Sequence, residues 1–302
     1  MKVLITGCDG QLGKALIQTA PSHVDLLVTN KNSLDITNPQ SCKDFILFNK
    51  PDWIINAAAY TSVDKAEEEV EKAFLVNSKA PKLISEIIAS YGGKMLHIST
   101  DFVFNGRKST PYLPSDPVDP LSIYGKSKAQ GEYFVLNNIN TFVLRTSWVY
   151  SDIGNNFLLT MMKLHKLKEG KSEPLKVVYD QIGTPTNVYG LSRACWGLLQ
   201  TDYSIIKRSN IYHWSDLGVA SWYDFAIAIG EIAAQKGLIK RPACVKPISY
   251  IDYNRNALCP SYSVLESNLI RNSVNLSSVH WQQALGDLFD RLLFNTSKIK
   301  YN

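Results

Sequence analysis

Short apolar runs alternate with longer stretches of helical periodicity through the first half of the chain. Lys2 to Thr6 is an apolar run of strand length, Leu12 to Thr19 carries apolar residues at helical spacing, and Asp25 to Thr29 is a second strand-like run. Pro39 to Asn49 reads as a helix, Trp53 to Ala57 as a continuous apolar strand, and Val63 to Ala89 as one long helical stretch. Lys94 to Ser99 follows as a strand, Tyr124 to Asn137 as a helix and Thr141 to Arg145 as a strand. Continuously apolar strands separated by helices call for a parallel sheet covered on both faces, which is an α/β fold. Past Tyr150 the alternation weakens. Helices are predicted near Asn156 to Lys168, Val188 to Leu199, Ser221 to Gln235 and Val279 to Phe294, with strands at Leu175 to Val178 and Ile211 to Trp214. The segment from Pro242 to Pro260 is broken by prolines. The expected organisation is a sheet domain over residues 1–150 and a smaller α/β lobe over 151–302, with some later segments returning to the sheet.

Two local patterns add chemistry to this frame. Directly after the first strand comes Gly7-Cys8-Asp9-Gly10-Gln11-Leu12-Gly13, a glycine-rich turn opening into a helix. Glycines let the backbone approach a pyrophosphate, whose charge is favoured at a helix N-terminus, so the expected fold is a doubly wound, Rossmann-type sheet that binds a dinucleotide. The second pattern is Tyr124-Gly125-Lys126-Ser127-Lys128. Four residues apart on a helix, Tyr124 and Lys128 share one face, where an ammonium would draw the tyrosine's acidity toward neutral pH and fit it to protonate a carbonyl oxygen. Together the patterns suggest a nicotinamide-dependent reductase. The Pro-, Ser- and Asp-rich stretch from Gly106 to Pro120 is expected to form a surface loop that could border the substrate site.

Composition narrows the classes. With 302 residues, 45% of them apolar and 20% charged, the chain can bury a large core, and its net charge of +5 suits anionic small molecules without calling for nucleic acid. Lys163, His165, Lys166, Lys168 and Lys171 form the densest basic cluster, which lacks interleaved aromatics and reads as a solvated helix face and turn. Five scattered cysteines, without a C-x-x-C pair, read as reduced thiols of a cytoplasmic protein. The first strand starts at Met1 and no apolar run approaches membrane-spanning length, so neither export nor membrane insertion is expected. The histidines lie far apart, without metal-ligand spacing, and are expected to serve packing or the surface.

Gly7, Gly10 and Gly13, Asn56-Ala57-Ala58-Ala59-Tyr60, Ser99-Thr100-Asp101-Phe102-Val103-Phe104 and the Tyr124/Lys128 pair, taken in order, resemble the extended short-chain dehydrogenase/reductases. Further stretches resemble the dTDP-4-dehydrorhamnose reductase family: Gly10-Gln11-Leu12-Gly13, Leu34-Asp35-Ile36-Thr37, Val63-Asp64-Lys65-Ala66-Glu67, Arg145-Thr146-Ser147-Trp148-Val149-Tyr150, Gly154-Asn155-Asn156-Phe157 and Asp180-Gln181-Ile182-Gly183-Thr184-Pro185-Thr186. The resemblance implies an enzyme that reduces the C4 keto group of a nucleotide-linked sugar with NADPH or NADH. In that pattern Tyr124 donates the proton, Lys128 holds the nicotinamide ribose and Thr100 hydrogen-bonds the substrate oxygen. Cofactor contacts are implied for Gly7, Gly10, Gln11, Leu12 and Gly13, for Asp35 and Ile36 on the adenine side, and for Ala57, Ala58 and Ala59 along a strand end. Asn30 and Lys31 close the second strand without the carboxylate that would hold an NAD ribose, and Lys31 could attract a 2′-phosphate, so NADPH is expected. Substrate contacts are implied for Asp101, Trp148, Asn156 and Gln181, with Trp148 offering a flat face to the deoxysugar.

The chain departs from the pattern at two places. Some relatives hold magnesium at a dimer contact through acidic residues where this chain has Lys14-Ala15 and Val188-Tyr189, so magnesium is not expected and a homodimer loses that bridge. At Ala257-Leu258-Cys259-Pro260 a cysteine stands where many relatives have an arginine. Two other classes share the resemblance. A regulatory subunit like that of methionine adenosyltransferase would bind a partner without reducing a sugar, and the intact Tyr124, Lys128 and Thr100 argue against it. The second is a related sugar-nucleotide reductase, epimerase or dehydratase with a different base or hexose; a dehydratase would need an acidic pair after Thr100, where Asp101-Phe102 carries one carboxylate, so simple reduction is preferred.

Overall fold

The computed structural model describes residues 1–206, 209–277 and 279–300. In chain order its elements begin β1 (Lys2–Thr6), α1 (Gln11–Gln18), β2 (Asp25–Thr29), α2 (Pro39–Asn49) and β3 (Trp53–Asn56). Next come α3 (Val63–Ala66), α4 (Val70–Phe74), α5 (Ala80–Ala89), β4 (Lys94–Thr100), α6 (Ile123–Leu136) and β5 (Thr141–Thr146). The second half holds β6 (Val149–Tyr150), α7 (Phe157–Leu167), β7 (Leu175–Val178), β8 (Ile182–Gly183), β9 (Thr186–Asn187), α8 (Val188–Gln200) and α9 (Tyr203–Ile206). It closes with β10 (Ile211–Trp214), β11 (Ala220–Ser221), α10 (Trp222–Gln235), β12 (Val245–Ile248), α11 (Asn268–Val274) and α12 (Trp281–Lys300).

Six strands form one parallel sheet in the order β10-β5-β4-β3-β1-β2. The order reverses beside β1, where a doubly wound sheet opens a crevice at the carboxyl ends of its strands. The two faces are covered by two apolar clusters, as a sheet of continuously apolar strands requires. One packs α2 and α5 on Leu4, Ile54 and Met95; the other joins Ile5, Ile55 and Leu144 to α1, α8 and α10. Thus β10 and α8, although late in sequence, belong to the sheet and its cover.

The long helix expected over Val63 to Ala89 is instead three helices with a π turn at Leu75–Lys79. Pro81 has no N–H to continue the ladder, and Asn77 is fully buried, with its amide bonded to the Tyr60 backbone and to Ser127 Oγ. That turn fixes α6. A Cβ on Gly131 would stand 2.1 Å from the Asn77 carbonyl oxygen, and one on Gly125 would stand 2.3 Å from that of Phe102, so only glycines let α6 come this close.

Three histidines serve the interior. His97, His165 and His213 are fully buried, so His165 departs from the solvated basic face expected of its cluster: Ala226 O lies 2.9 Å from its Nε2, and its Nδ1 accepts from the Ala243 N–H. The loop from Gly106 to Pro120 also differs in role. Its Tyr112 stacks on Phe104, and its Pro114 carbonyl accepts from Arg145, so it covers the sheet's far end and contributes no residue to the central cavity.

Arg145 and Glu132 form a buried ion pair at 2.7 Å that ties β5 to α6. Removing one partner strands the other charge in the interior, so Glu132→Ala is expected to lose about 3–5 kcal/mol in urea unfolding. A loss under about 1 kcal/mol would mean that water reaches Arg145 and the pair does not hold the two elements together.

Candidate active site

The carboxyl ends of β1, β3, β4 and β5 open onto a cavity of about 860 Å³. Gly10, Gln11 and Leu12 from the glycine turn line it, with Ala57 and Ala59 after β3, Thr100 ending β4 and Asp101 just after it, and Tyr124 and Lys128 from α6. Trp148, Gln181 and Asn155 close the side formed by the second half. The glycine turn is as tight as its sequence requires: Gly7 has φ +69°, and a Cβ there would stand 2.7 Å from the Ala58 backbone. Gly13 packs against the Gly7 carbonyl, so Gly7, Gly13 and Ala58 shape the turn from behind while Gly10 faces the cavity.

The reacting trio sits at the cavity's buried end. Thr100 N-caps a short 3₁₀ turn through Phe102 N, donates to Asp101 Oδ1 at 3.0 Å, and hydrogen-bonds the Tyr124 phenol. Lys128 Nζ donates to the Ile98 carbonyl at 2.6 Å and lies 3.3 Å from His97 Nε2. Burial pushes the Tyr124 phenol up to about 12 and the Lys128 ammonium down to about 8, with Glu132 opposing the latter. The expectation that Lys128 draws Tyr124 toward neutral acidity is therefore not met in this environment. For a reduction this is no handicap, because the protonated phenol is the form that donates. Burial also pushes the Asp101 carboxyl up to about 6.

Other sequence-predicted residues fall outside the cavity lining. Asn30 Oδ1 accepts from the Asn32 and Ser33 backbones in its own turn, and Lys31 is exposed. Asp35 Oδ1 accepts from Thr37 N and Oγ1, which holds the carboxyl below its usual range, and Ile36 is buried in the α2 side of the core. Asn156 caps α7 through Leu159 N and donates to Gln11 Oε1 and the Ser151 and Ile153 carbonyls, so it shapes the loop while its neighbour Asn155 faces the cavity. Trp148 lines the cavity but does not offer a bare face there: Trp222 stacks on it at 3.5 Å between ring centroids, and the Gly183 backbone packs against it.

Sequence reasoning missed several lining residues. Arg255 donates from Nε to both Asp64 oxygens at 2.9 Å, drawing the 249–260 segment across the cavity toward α3, and Tyr250 and Tyr253 line the same wall. Lys176 and Trp222 also face in. Proline breaks hid the first group, and nothing local in the sequence marks Arg255. Among the described residues, three buried polar atoms of lining residues have no partner: Ser99 Oγ, Thr146 Oγ1 and Gln181 Nε2. Orphaned polar atoms around one cavity fit a polar ligand.

A family model described as the RmlD substrate binding domain matches residues 1–294. The chain belongs to this family. A dTDP-4-dehydrorhamnose reductase of Aggregatibacter actinomycetemcomitans is 38% identical over 294 residues, covering 95% of this chain and 98% of the relative. The spore coat polysaccharide biosynthesis protein SpsK of Bacillus subtilis is 37% identical, covering 94% and 95%. The crystal structure of a dTDP-4-dehydrorhamnose reductase from Bacillus anthracis in complex with NADP superposes with a TM-score of 0.88 at 35% identity, covering 96% of this chain and 99% of that one. UDP-glucose 4-epimerase of Thermus thermophilus, at 17% identity and a TM-score of 0.80, shows the shared Rossmann-type fold alone. The family resemblance read from the motifs holds over the chain's length. Cys259, the second departure expected from the sequence, lies 3.6 Å from Arg255 Nη1.

Within this family's site the titrating group nearest neutrality, beside Asp101, is Lys128. Its ammonium is lost as pH rises through about 8. Nicotinamide dinucleotide affinity, followed by fluorescence titration, is expected to weaken between about pH 7 and 9, and Lys128→Met should remove that dependence. A flat profile in the unsubstituted protein would show that the charge of Lys128 plays no part in holding the cofactor.

Proposed function

We propose that this chain is a dTDP-4-dehydrorhamnose reductase that reduces the C4 keto group of dTDP-4-dehydro-L-rhamnose with NADPH, in the cytoplasm. The observation that carries the reading is that the glycine turn, Thr100, Tyr124 and Lys128 converge on one cavity. The names of the relatives and the NADP bound by the Bacillus anthracis structure support the substrate and the cofactor. The five free cysteines agree with a reducing compartment.

Bound NADPH supplies the hydride to C4. The chain's residues do the rest. The backbone at Gly10, Gln11 and Leu12, at the α1 N-terminus, receives the pyrophosphate. Lys128 holds the nicotinamide ribose, and Tyr124 gives its proton to the C4 oxygen. Thr100 can steady the same oxygen as negative charge develops on it only by turning its one proton from Asp101 Oδ1 toward that oxygen. Asp101, Gln181 and Thr146 line the cavity and supply polar groups suited to sugar hydroxyls. Arg255 and Lys176 are the cations lining the cavity besides Lys128, and they suit the diphosphate of the nucleotide. The magnesium site of some relatives does not fit here: Ala15 is apolar, and the Tyr189 hydroxyl lies 2.9 Å from Asp152 Oδ1, with the Arg291 guanidinium 4.0 Å from its ring centroid. A homodimer, if this chain forms one, would be joined through other contacts.

Purified protein incubated with dTDP-4-dehydro-L-rhamnose and NADPH should oxidise the nicotinamide, and UDP-linked ketosugars should react more slowly. Tyr124→Phe is expected to lower kcat by roughly a hundred- to ten-thousand-fold while NADPH affinity stays near that of the unsubstituted enzyme. A near-normal kcat would assign the proton to another group. Arg255→Met should raise KM for the nucleotide sugar about tenfold or more with KM for NADPH little changed, since it removes a charge-assisted bond from one ligand alone. An unchanged sugar KM would leave Arg255 as a clasp to Asp64 only. NADPH should outperform NADH in kcat/KM; an NADH preference above about tenfold would contradict the missing carboxylate at Asn30 and Lys31.

A further inference from the structure

Lys128 has a partner that neither cofactor nor sugar explains. Thr6, Asn56 and His97 are register partners across β1, β3 and β4, so their side chains lie in one row on one face of the sheet. The neighbouring row on that face, Leu4, Ile54 and Met95, is apolar and belongs to the core. The row at the strands' carboxyl ends is just as buried but polar: Thr6 is 1% exposed, and Asn56 and His97 are 0%. Its members are bonded in sequence. Thr6 Oγ1 lies 2.6 Å from Asn56 Oδ1, Asn56 Nδ2 3.0 Å from His97 Nδ1, and His97 Nε2 3.3 Å from Lys128 Nζ. Three polar groups placed where the sheet could bury aliphatic ones cost desolvation unless every partner is met, and the row ends on the lysine of the reacting trio.

We propose that His97 is a positioning residue for Lys128: a neutral imidazole protonated at Nδ1 that accepts at Nε2 from the Lys128 ammonium and so aims the remaining N–H at the cofactor. This rests on the reading of Lys128 as the cation that holds the nicotinamide ribose. An ammonium has three donors and no acceptor. The Ile98 carbonyl takes one at 2.6 Å and His97 Nε2 takes a second, which leaves one for the cavity. A neutral imidazole carries a single N–H, so accepting at Nε2 puts the proton on Nδ1, where Asn56 must present its oxygen. With the amide nitrogen toward Nδ1 the proton would sit on Nε2 and face Lys128, an arrangement only the free amine accepts. A half-turn of the Asn56 carboxamide exchanges the two arrangements, Thr6 Oγ1 donating where it meets the amide oxygen, as it does here, and accepting where it meets the amide nitrogen. Asn56 thereby matches the row to the charge of Lys128.

The surroundings keep His97 neutral. It is buried, with Asn56 on one side and its register partner Val143 on the other, and the charge bearing on it is Lys128 itself; both effects hold its ionisation well below the usual histidine range. Glu132, one turn along α6 from Lys128 and paired with Arg145, is the charged group that bears on Lys128 from behind.

The test needs no sugar. NADPH dissociation constants are measured by fluorescence from about pH 6 to 10 for the unsubstituted protein, His97→Leu and His97→Gln, and the His97 tautomer is read by ¹⁵N NMR in the NADP⁺ complex. Loss of an acceptor disfavours the ammonium, so His97→Leu should weaken NADPH binding about tenfold at neutral pH and move the alkaline loss of affinity to lower pH. His97→Gln, whose amide oxygen can accept from the ammonium, should recover most of both, and the complex should show Nδ1–H. An Nε2–H tautomer in the complex would overturn the proposal. So would equal losses of thermal stability in the two variants with the affinity and its pH limb unmoved. If His97→Leu does not fold, His97→Gln and the tautomer still decide. A protein that binds NADPH in this manner but does not reduce the ketosugar would sink the proposed activity and leave the role of His97 standing.

Discussion

Burying the ammonium of Lys128 is the constraint around which this site is arranged. A desolvated cation must be met on several sides or it gives up its proton, and the shift of Lys128 to about 8 shows how near that limit it lies. Its partners come from different layers. β4 gives the Ile98 carbonyl, the cross-strand row gives His97, and the field of Glu132 arrives from the next turn of α6. None of these works unless α6 lies close against the sheet's carboxyl end. That closeness depends on Gly125 under Phe102 and Gly131 under Asn77, and the buried pair of Glu132 with Arg145 clamps the same helix to β5.

The same close packing explains the break in the segment from Val63 to Ala89. A continuous helix would have satisfied its own backbone, yet it could not have turned the Asn77 amide to Tyr60 and Ser127 while presenting its carbonyl to Gly131. The π turn gives up regular hydrogen bonding over Leu75–Lys79 so that α6 can dock. Local irregularity there is tied to the placement of Tyr124 and Lys128, two helices away in sequence and adjacent in space.

Much of this was legible along the chain. Apolar runs of strand length located the five strands of the first half, because a sheet covered on both faces leaves no alternation to misread. The glycine turn and the Tyr124/Lys128 pair were legible for a similar reason: each is a short-range pattern whose geometry is fixed by one element. What stayed hidden depends on register and on chain reversal. Thr6, Asn56 and His97 are remote in sequence and meet only because parallel pairing brings them level. Arg255 reaches Asp64 from a proline-broken segment with no periodicity to place it. Asn156 and Trp148 were recognisable by motif, but whether a side chain faces the cavity or braces the loop is decided by partners such as Gln11 and Trp222.

The 249–260 segment shows how a charge on an irregular stretch of chain is held at the cavity wall. Before Pro260 this chain has Cys259, a small thiol that burial keeps protonated. The guanidinium of Arg255, four residues earlier, reaches that sulfur with Nη1 while Nε is held by Asp64. Asp64 Oδ1 also accepts from Ala257 N, and Tyr250, anchored by Asp180, donates from its hydroxyl to the Ala257 carbonyl. The segment is thus laced at both ends and its cation is directed by neighbours on both sides of the cavity. A bulkier side chain at 259 would compete with Arg255 for the same space. The cysteine and the arginine therefore work as one paired feature: the small residue makes room, and the guanidinium lines the cavity beside it.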